Sequence, residues 1–239
     1  MTKVTPYNNL ETKKKQVTKM FDNIAESYDF LNHTLSLGMD NIWRKIAIKK
    51  LTNNPTSILD IATGTGDFAI SAIKYTKAKV TGIDISQGML DVGLEKINRK
   101  GLSDRIQLQL ADSENLPFQD NSYDAITAGF GVRNFEDLNK GLAEMYRTLK
   151  SGGIIAILEP SEPTNFPLKQ FYNIYFHHIL PFVGGIISKD KNAYTYLPDS
   201  VSAFPSGKDF LIELDKVGFK EFKHIPLTFG IVSLYIAIK

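Results

Sequence analysis

Two glycines and a carboxylate at fixed spacing mark the first candidate site in this sequence. Residues 59–67 read LDIATGTGD, so Gly64 and Gly66 follow one apolar run, and Asp84 ends the next. Glycine lets the backbone approach a ligand at the carboxyl edge of a parallel sheet. A carboxylate that ends the neighbouring strand can accept hydrogen bonds from two ribose hydroxyls. The pattern predicts a nucleoside-binding site.

The acids beside the glycines discriminate between nucleoside cofactors. The segment also fits Gly-x-Gly-x-x-Ala, a dinucleotide pattern in which amides at a helix N-terminus hold a pyrophosphate. Asp60 and Asp67 would repel a pyrophosphate, whereas they would attract the ammonium and sulfonium groups of S-adenosylmethionine. We therefore expect this methyl donor on Asp60, Thr63 and the two glycines. A dinucleotide site and a glycine turn that binds nothing are the alternatives.

Two further polar residues follow the third predicted strand. In an open parallel sheet the ligand lies across the carboxyl ends of the strands, so Asp112 and Ser113 are expected near the adenine. Asp112 could accept a hydrogen bond from the exocyclic amine. An ordinary turn acid or helix cap is the alternative for each residue.

The elements that must position these residues alternate between strand and helix. A helix is predicted from Ser86 as N-cap to just before Gly101, another from about Phe135 to Gly152, and a last one from Ser206 to Gly218. Strands are predicted over residues 57–61, 79–84, 106–111, 123–130 and 153–159, with a closing antiparallel pair over 219–227 and 231–238. This alternation is typical of an α/β fold with a parallel sheet.

Two segments fall outside the alternation. Residues 17–51 are predicted to form helices that could cover the cofactor, with Trp43, Ile46, Ala47 and Leu51 on one apolar face. Residues 165–187 are rich in aromatic side chains and are a candidate lid or substrate wall.

The second segment approaches the length of a membrane span. Its prolines, its histidines and Lys169 argue against a spanning helix, while an amphipathic flap that touches a lipid surface remains an alternative. We place it in an insertion over residues 162–205 of a single domain, residues 17–239, after a flexible N-terminus over residues 1–16.

Composition narrows the class of protein. The chain has 239 residues, 28 basic against 26 acidic side chains and no cysteine. The balanced charge argues against bulk nucleic-acid binding, and the missing cysteine excludes disulfides, thiolate metal sites and a thiol nucleophile. Without an apolar signal segment at the start, we expect a cytoplasmic protein, peripheral to the inner face of the membrane at most.

Several sequence blocks resemble one group of enzymes, the menaquinone and ubiquinone biosynthesis C-methyltransferases. The blocks are YDFLN at 28–32, FGVRN at 130–134, RTLKSGG at 147–153 and YTYLPDS at 194–200. The resemblance implies the Rossmann-like fold of class I S-adenosylmethionine-dependent methyltransferases. That fold has a seven-stranded, mostly parallel sheet, helices on both faces and a closing antiparallel hairpin.

The resemblance also implies a substrate, which is a prenylated naphthoquinol. Methylation of a ring carbon would convert demethylmenaquinol to menaquinol, with a ubiquinone precursor as a second acceptor. Such an apolar acceptor suggests transient contact with a membrane surface, and a homodimer is compatible with the family. We expect no nucleic acid and no metal among the partners, because methyl transfer from a sulfonium requires no metal and no cluster of histidines and acids is evident.

Methyl transfer to carbon places demands on the acceptor site. An oxidised quinone is too electron-poor to attack a sulfonium, so the acceptor must be the quinol, preferably deprotonated. Arg133 and Asn134 follow the fourth strand, where a guanidinium could hold the quinol oxygen as charge builds. The alternative is that Arg133 pairs with a structural carboxylate. Tyr28 could close over either substrate or pack in the core, and His177 or His178 could take a proton.

Other functions use a similar sheet. A dehydrogenase is disfavoured by Asp67, and a pyrimidine-carbon RNA methyltransferase by the missing cysteine. A methyltransferase that acts on a sterol or phospholipid is the nearest competitor.

Overall fold

The protein is described by a computed structural model that covers residues 4–7, 9–176 and 191–239. Its strands are β1 Ser57–Ile61, β2 Lys79–Asp84, β3 Ile106–Leu110, β4 Tyr123–Gly129, β5 Leu149–Pro160, β6 Lys220–Leu227 and β7 Val232–Ile238. They form one seven-stranded sheet in the order β3-β2-β1-β4-β5-β7-β6. The first five are parallel, whereas β7 pairs antiparallel with both β5 and β6, which confirms the predicted edge hairpin.

Helices cover both faces of the sheet, as predicted. They are α1 Lys13–Leu35, α2 Met39–Ile48, α3 Asp67–Tyr75, α4 Gln87–Arg99, α5 Leu138–Thr148, α6 Leu168–Ile174, α7 Lys191–Ala203 and α8 Lys208–Val217. Neighbouring residues of β1 point to opposite faces, because side chains alternate along a strand. Ile58 packs in the cluster that contains Phe68 of α3, and Leu59 packs in the cluster that contains Leu142 of α5 and Phe210 of α8.

Helix ends follow local chemistry where a cap is present. The Ser86 side chain accepts a hydrogen bond from the Met89 amide at the start of α4, and Gly218 ends α8 with a left-handed φ of 114°. Both ends were predicted. Helix α1, in contrast, begins at Lys13, so the predicted boundary at residue 17 falls inside its first turns.

The prediction for α5 and β5 was wrong at both ends of the helix. Residues 132–134 form a separate 3-10 turn, and α5 begins only after Asp137, whose side chain accepts from the Lys140 amide. Leu149 has an extended backbone and pairs with Tyr123, so β5 starts where the helix was expected to continue.

Helix α1 packs across the carboxyl-end side of the sheet. Its buried residues Val17, Met20 and Ile24 form one cluster with Met89 of α4 and with side chains of α6 and α7. The candidate lid therefore packs on α1 where it is described. His177 and His178 lie outside the described residues. In the described part of the chain, no helix is both long enough and apolar enough to cross a membrane.

Helix α2 presents the predicted apolar face, with Trp43, Ala47 and Leu51 buried. The indole nitrogen of Trp43 donates to the Thr228 hydroxyl at 2.8 Å, and its ring meets the edge of Phe130 at 6.1 Å between centroids. Trp43 therefore connects α2 to the loops that follow β4 and β6.

Candidate active site

A cavity opens at the carboxyl ends of β1 to β4, where the sequence placed the nucleoside. Its wall includes six of the ten predicted site residues, namely Tyr28, Gly64, Asp84, Asp112, Ser113 and Asn134. Four others, Asp60, Thr63, Gly66 and Arg133, do not line it. We call this space the donor cavity.

The glycine loop after β1 holds the Asp84 carboxylate in place. Gly64 adopts a left-handed φ of 55°, and its amide donates to Asp84 Oδ2 at 2.8 Å. The Ser86 amide donates to Asp84 Oδ1 at 2.9 Å. Burial raises the pKa of Asp84. Because each carboxylate oxygen has two lone pairs, both can still accept from a ligand on the cavity side.

Asp60 and Thr63 support the loop from below. Asp60 has no exposed surface and accepts hydrogen bonds from the Thr63 hydroxyl at 2.5 Å and the Thr127 hydroxyl at 2.6 Å. Burial raises the pKa of Asp60 to about 6, because the charged form is removed from water. Gly66, with a φ of 82°, precedes α3. These residues fix the conformation of the loop, and none of them lines the donor cavity.

Asp67 belongs to an ion network behind the loop. Its carboxylate lies 2.7 Å from Lys96 Nζ and 3.7 Å from Arg44 Nη2. Asp60 and Asp67, the two acids expected to attract the methyl donor, therefore do not line the donor cavity. The acids that line it are Asp84, Asp112, Glu114 and Glu136. A pyrophosphate is still disfavoured, through other carboxylates than those predicted.

Helix α1 supplies one wall that the site prediction largely missed. Lys14, Val17, Phe21 and Tyr28 all line the donor cavity. Their spacing of three, four and seven residues places them on one helix face, a signal that the sequence contained.

Asp112 is only partly available to a ligand. Lys14 Nζ lies 2.7 Å from its Oδ2 and 3.0 Å from Glu114 Oε2, and the Glu114 amide donates to Asp112 Oδ1. The Lys14 ammonium thus neutralises part of the acidic wall near the expected adenine.

Arg133 forms a buried ion pair. Its Nη1 lies 3.0 Å from Glu159 Oε2, and the guanidinium also donates to the Phe130 carbonyl and to the Ser200 hydroxyl. Glu159 has no exposed surface, and its Oε1 accepts from the Val132 amide at 2.6 Å. The structural-carboxylate alternative therefore describes the arginine in this structure.

A second cavity, of about 240 Å³, adjoins the first. Phe135 and Glu136 line both cavities, and Arg133 lines only the second. Its wall carries the polar side chains of Lys13, Arg133, Glu136 and Ser200 beside a larger apolar part. The apolar part includes Val132, Leu138, Tyr196, Ala203, Phe204 and Pro205. We call this space the apolar cavity.

Among the described residues, one cluster has the geometry to hold a metal ion. Ligand atoms of His33, Asp40 and Asp67 lie within 4.8 Å of one another. Arg44 Nη1 lies 2.5 Å from Asp40 Oδ2, and Lys96 binds Asp67, so protein cations already balance these carboxylates. The cluster lies behind the glycine loop, and these residues do not line the donor cavity.

Comparison with known proteins agrees with this geometry. The chain is 50% identical over 239 residues to a demethylmenaquinone methyltransferase of Bacteroides fragilis, covering 99% of this chain and 98% of that protein. It is 46% identical over 233 residues to a ubiquinone/menaquinone biosynthesis C-methyltransferase of Geotalea daltonii, covering 96% and 99%. A structure described as an S-adenosylmethionine-dependent methyltransferase, from Methanococcus maripaludis, shares the fold with a TM-score of 0.63 at 23% identity, covering 98% and 96%. Residues 9–239 match the ubiE/COQ5 methyltransferase family, and the chain belongs to that family.

Proposed function

We propose that this protein is an S-adenosylmethionine-dependent C-methyltransferase that converts demethylmenaquinol to menaquinol. The full-length identity of 50% with the Bacteroides enzyme carries the proposal. The donor cavity supports it, because its four carboxylates outnumber the single ammonium of Lys14. The remaining negative charge suits a cationic nucleoside and disfavours a phosphorylated one.

The donor would lie across the strand ends with its ribose on Asp84. Its adenine would lie beside Asp112 and Ser113, and the Gly64 loop would allow close approach of the backbone. The ammonium and sulfonium groups would gain from the field of the cavity acids.

The reaction forms a carbon–carbon bond at the quinol ring. An electron pair of the ring carbon ortho to a deprotonated hydroxyl attacks the methyl group, and the carbon–sulfur pair returns to sulfur, which leaves as a neutral thioether. Water then accepts the proton of the methylated ring carbon, and the carbon–hydrogen electron pair returns to the ring and restores its aromaticity. Alignment of sulfur, methyl and ring carbon supplies much of the rate, because the protein holds both reactants in one geometry.

The oxygen of the acceptor needs hydrogen-bond donors as charge develops. The Glu159 carboxylate offsets the charge of Arg133, so we assign the direct contact to the side-chain amide of Asn134, which lines the donor cavity. The guanidinium of Arg133 adds positive charge beside the Asn134 amide. Tyr28 closes the donor side of the cavity.

The apolar cavity would take the first part of the prenyl tail. A protein cavity of about 150 Å³ holds benzene, so the 240 Å³ found here suits about ten carbon atoms, roughly two isoprene units. Ala203→Leu should fill part of this space and raise KM for the prenylated quinol about tenfold, by loss of apolar burial. KM for the same quinol without a tail should stay unchanged. Equal effects on both acceptors would contradict this placement.

An exposed apolar surface beside the lid would meet the membrane that holds the acceptor. Phe166 is 81% exposed and Phe229 is 77% exposed. Their segments touch, since a Cβ on Gly230 would lie 3.6 Å from Pro163 Cα. We propose that these two phenylalanines insert at a lipid surface.

Mass spectrometry of lipid extracts tests the reaction. Purified protein is incubated with S-adenosylmethionine and chemically reduced demethylmenaquinone, beside an oxidised control. A gain of one methyl group only in the reduced sample is the expected result. No gain with intact donor binding would contradict the acceptor, and parallel samples with a ubiquinone precursor, a sterol and a phospholipid would then identify the acceptor class.

A further inference from the structure

Two buried side-chain atoms have no hydrogen-bond partner in the described part of the chain. They are Nδ2 of Asn134 and the hydroxyl of Tyr172. The two residues are 7% and 6% exposed. A buried polar group without a partner destabilises the folded protein, so its presence calls for an explanation. Asn134 lines the donor cavity, and Tyr172 packs in the cluster that contains Tyr196, whose hydroxyl bonds to Asn134.

The Asn134 amide is held in one orientation. The Tyr196 hydroxyl of α7 donates to Asn134 Oδ1 at 3.1 Å. This bond satisfies the amide oxygen and turns the two N–H donors of Nδ2 the other way. Because Asn134 lines the donor cavity, these donors are available to a ligand there.

Tyr172, on helix α6, does not itself line either cavity. It packs in one cluster with Tyr196, Met89 and Tyr28, and the latter two line the donor cavity. Tyr196 also lines the apolar cavity together with Arg133. The ring of Tyr172 stacks on Phe176 with centroids 4.1 Å apart, which adds a flat aromatic surface beside the hydroxyl.

The chemistry of these groups selects their ligand. Burial raises the pKa of Tyr196 to about 12 and raises that of Tyr172 as well, so both hydroxyls stay protonated at neutral pH. An amide N–H and a neutral hydroxyl can donate to oxygen, but neither is a base. They match an oxygen-bearing, partly negative aromatic ring, which describes a quinol.

We infer that Asn134 Nδ2 and the Tyr172 hydroxyl bind the ring oxygens of the quinol acceptor, and that Tyr196 is a positioning residue that orients the Asn134 amide. The inference rests on the proposed function and assigns the acceptor subsite of that reaction. It explains why these two buried polar atoms have no partner within the described part of the chain.

Tyr172→Phe gives a sharp test, because stability and activity should move in opposite directions. The change removes a hydroxyl that has no partner without acceptor, so the melting temperature should be unchanged or higher. The value of kcat/KM for demethylmenaquinol should fall about 5- to 50-fold through loss of a hydrogen bond. Donor affinity, measured by calorimetry, should be unchanged, because Tyr172 is not among the residues that line the donor cavity.

Tyr175→Phe is the matched control, because Tyr175 lies three residues after Tyr172 and also carries a hydroxyl. Its hydroxyl donates to the Leu35 carbonyl at 2.9 Å, so its removal should lower the melting temperature and leave acceptor kinetics unchanged. A Tyr172→Phe enzyme with wild-type kinetics would overturn the inference alone. A wild type that methylates no naphthoquinol would overturn both the inference and the proposed function.

A double-mutant cycle tests the role of Tyr196. Tyr196→Phe should lower kcat for the quinol, because the amide of Asn134 is then free to rotate. If Tyr196 acts through Asn134, its loss should add nothing to the effect of Asn134→Ala. Additive losses would show that Tyr196 has a separate role and would overturn its assignment as a positioning residue.

Discussion

Asp60 combines complete burial with a negative charge near neutral pH. Its pKa is raised to about 6 because burial disfavours the carboxylate. The hydroxyls of Thr63 and Thr127 offset part of that penalty by donating to it. Burial of the Asp60 carboxylate therefore lowers the stability of the folded protein. Its hydrogen bond from Thr63 nevertheless holds the glycine loop in place.

The pH dependence of stability should report this carboxylate. The folded protein binds a proton on Asp60 near pH 6, the unfolded chain only near 3.8, so this contribution to the free energy of unfolding rises as pH falls through 6. The difference between the two pKa values corresponds to about 3 kcal/mol. We expect the free energy of unfolding in urea, compared between the wild type and Asp60→Asn, to change in favour of the wild type by up to that amount as the pH falls from about 7 to 4. Parallel curves would contradict a raised pKa.

Asp84 should affect donor affinity more than stability. Its two oxygens accept from the Gly64 and Ser86 amides and retain lone pairs for ribose. Asp84→Asn should weaken binding of S-adenosylmethionine by roughly 1 to 3 kcal/mol, because hydrogen bonds to a charged acceptor are lost. Calorimetry measures this. Asp91→Asn, on exposed α4 surface, is the control, and equal affinities for the two variants would place the ribose elsewhere.

The position of a site residue could be predicted from the sequence where neighbouring residues alone determine it. Asp84 ends a strand beside a glycine loop, and strand ends meet the ligand, so its position followed from sequence. The orientation of Asp67 away from the cavity could not be predicted from the sequence, because its partners Lys96 and Arg44 come from other helices. The pairing of Arg133 with Glu159 likewise depends on the contact between two strand ends.

At the scale of elements, the loops after β1 and β4 pack against each other very closely. A Cβ on Gly131 would lie 2.4 Å from the Cβ of Ala62, which is shorter than real Cβ contacts. Ala62 itself has a left-handed φ of 51°. Both loops contribute to the donor cavity, so their contact sets its width.

Gly131→Ala should therefore force the two loops apart. We expect a lower melting temperature by several degrees, because overpacking costs about 1 to 3 kcal/mol, together with weaker donor binding. Ala62→Gly removes the opposing methyl group and suits the left-handed backbone, so the double variant should recover both properties. Differential scanning fluorimetry and calorimetry measure them. Failure of the second change to rescue the first would show that the contact is not the cause.

Element boundaries were predictable where caps were local. Ser86 and Gly218 mark helix ends through their own chemistry, and both predictions were confirmed. The end of α5 was missed because Leu149 continues the helical apolar spacing while its backbone pairs with Tyr123 of β4. Periodicity alone does not reveal a partner strand.

At the scale of the whole molecule, α1 braces the loops that follow three strands. Asp22 accepts from the Ser86 hydroxyl at 2.6 Å, after β2, and Asp29 accepts from the Thr65 hydroxyl, after β1. Lys14 reaches Asp112. The sequence predicted helices here, but not these contacts, since each joins residues far apart in the chain.

The proposed membrane surface makes a prediction for the intact protein. Phe166→Ser combined with Phe229→Asn should reduce recovery with liposomes in flotation, because two exposed aromatic side chains are lost. Methylation of a short-tailed quinol in detergent should stay at the wild-type rate. Ile212→Ser, which changes an exposed residue of α8, is the control. Unchanged flotation of the double variant would place the lipid contact elsewhere.

The contact between Trp43 and Phe130 gives the protein an optical signal of its own. The chain has one tryptophan, its indole is only 8% exposed, and the ring it touches lines the donor cavity. The tryptophan emission therefore reports the surroundings of Trp43 alone, with no contribution from a second indole. We therefore expect a ligand in the donor cavity to change the tryptophan emission, which would report binding without a label and without turnover.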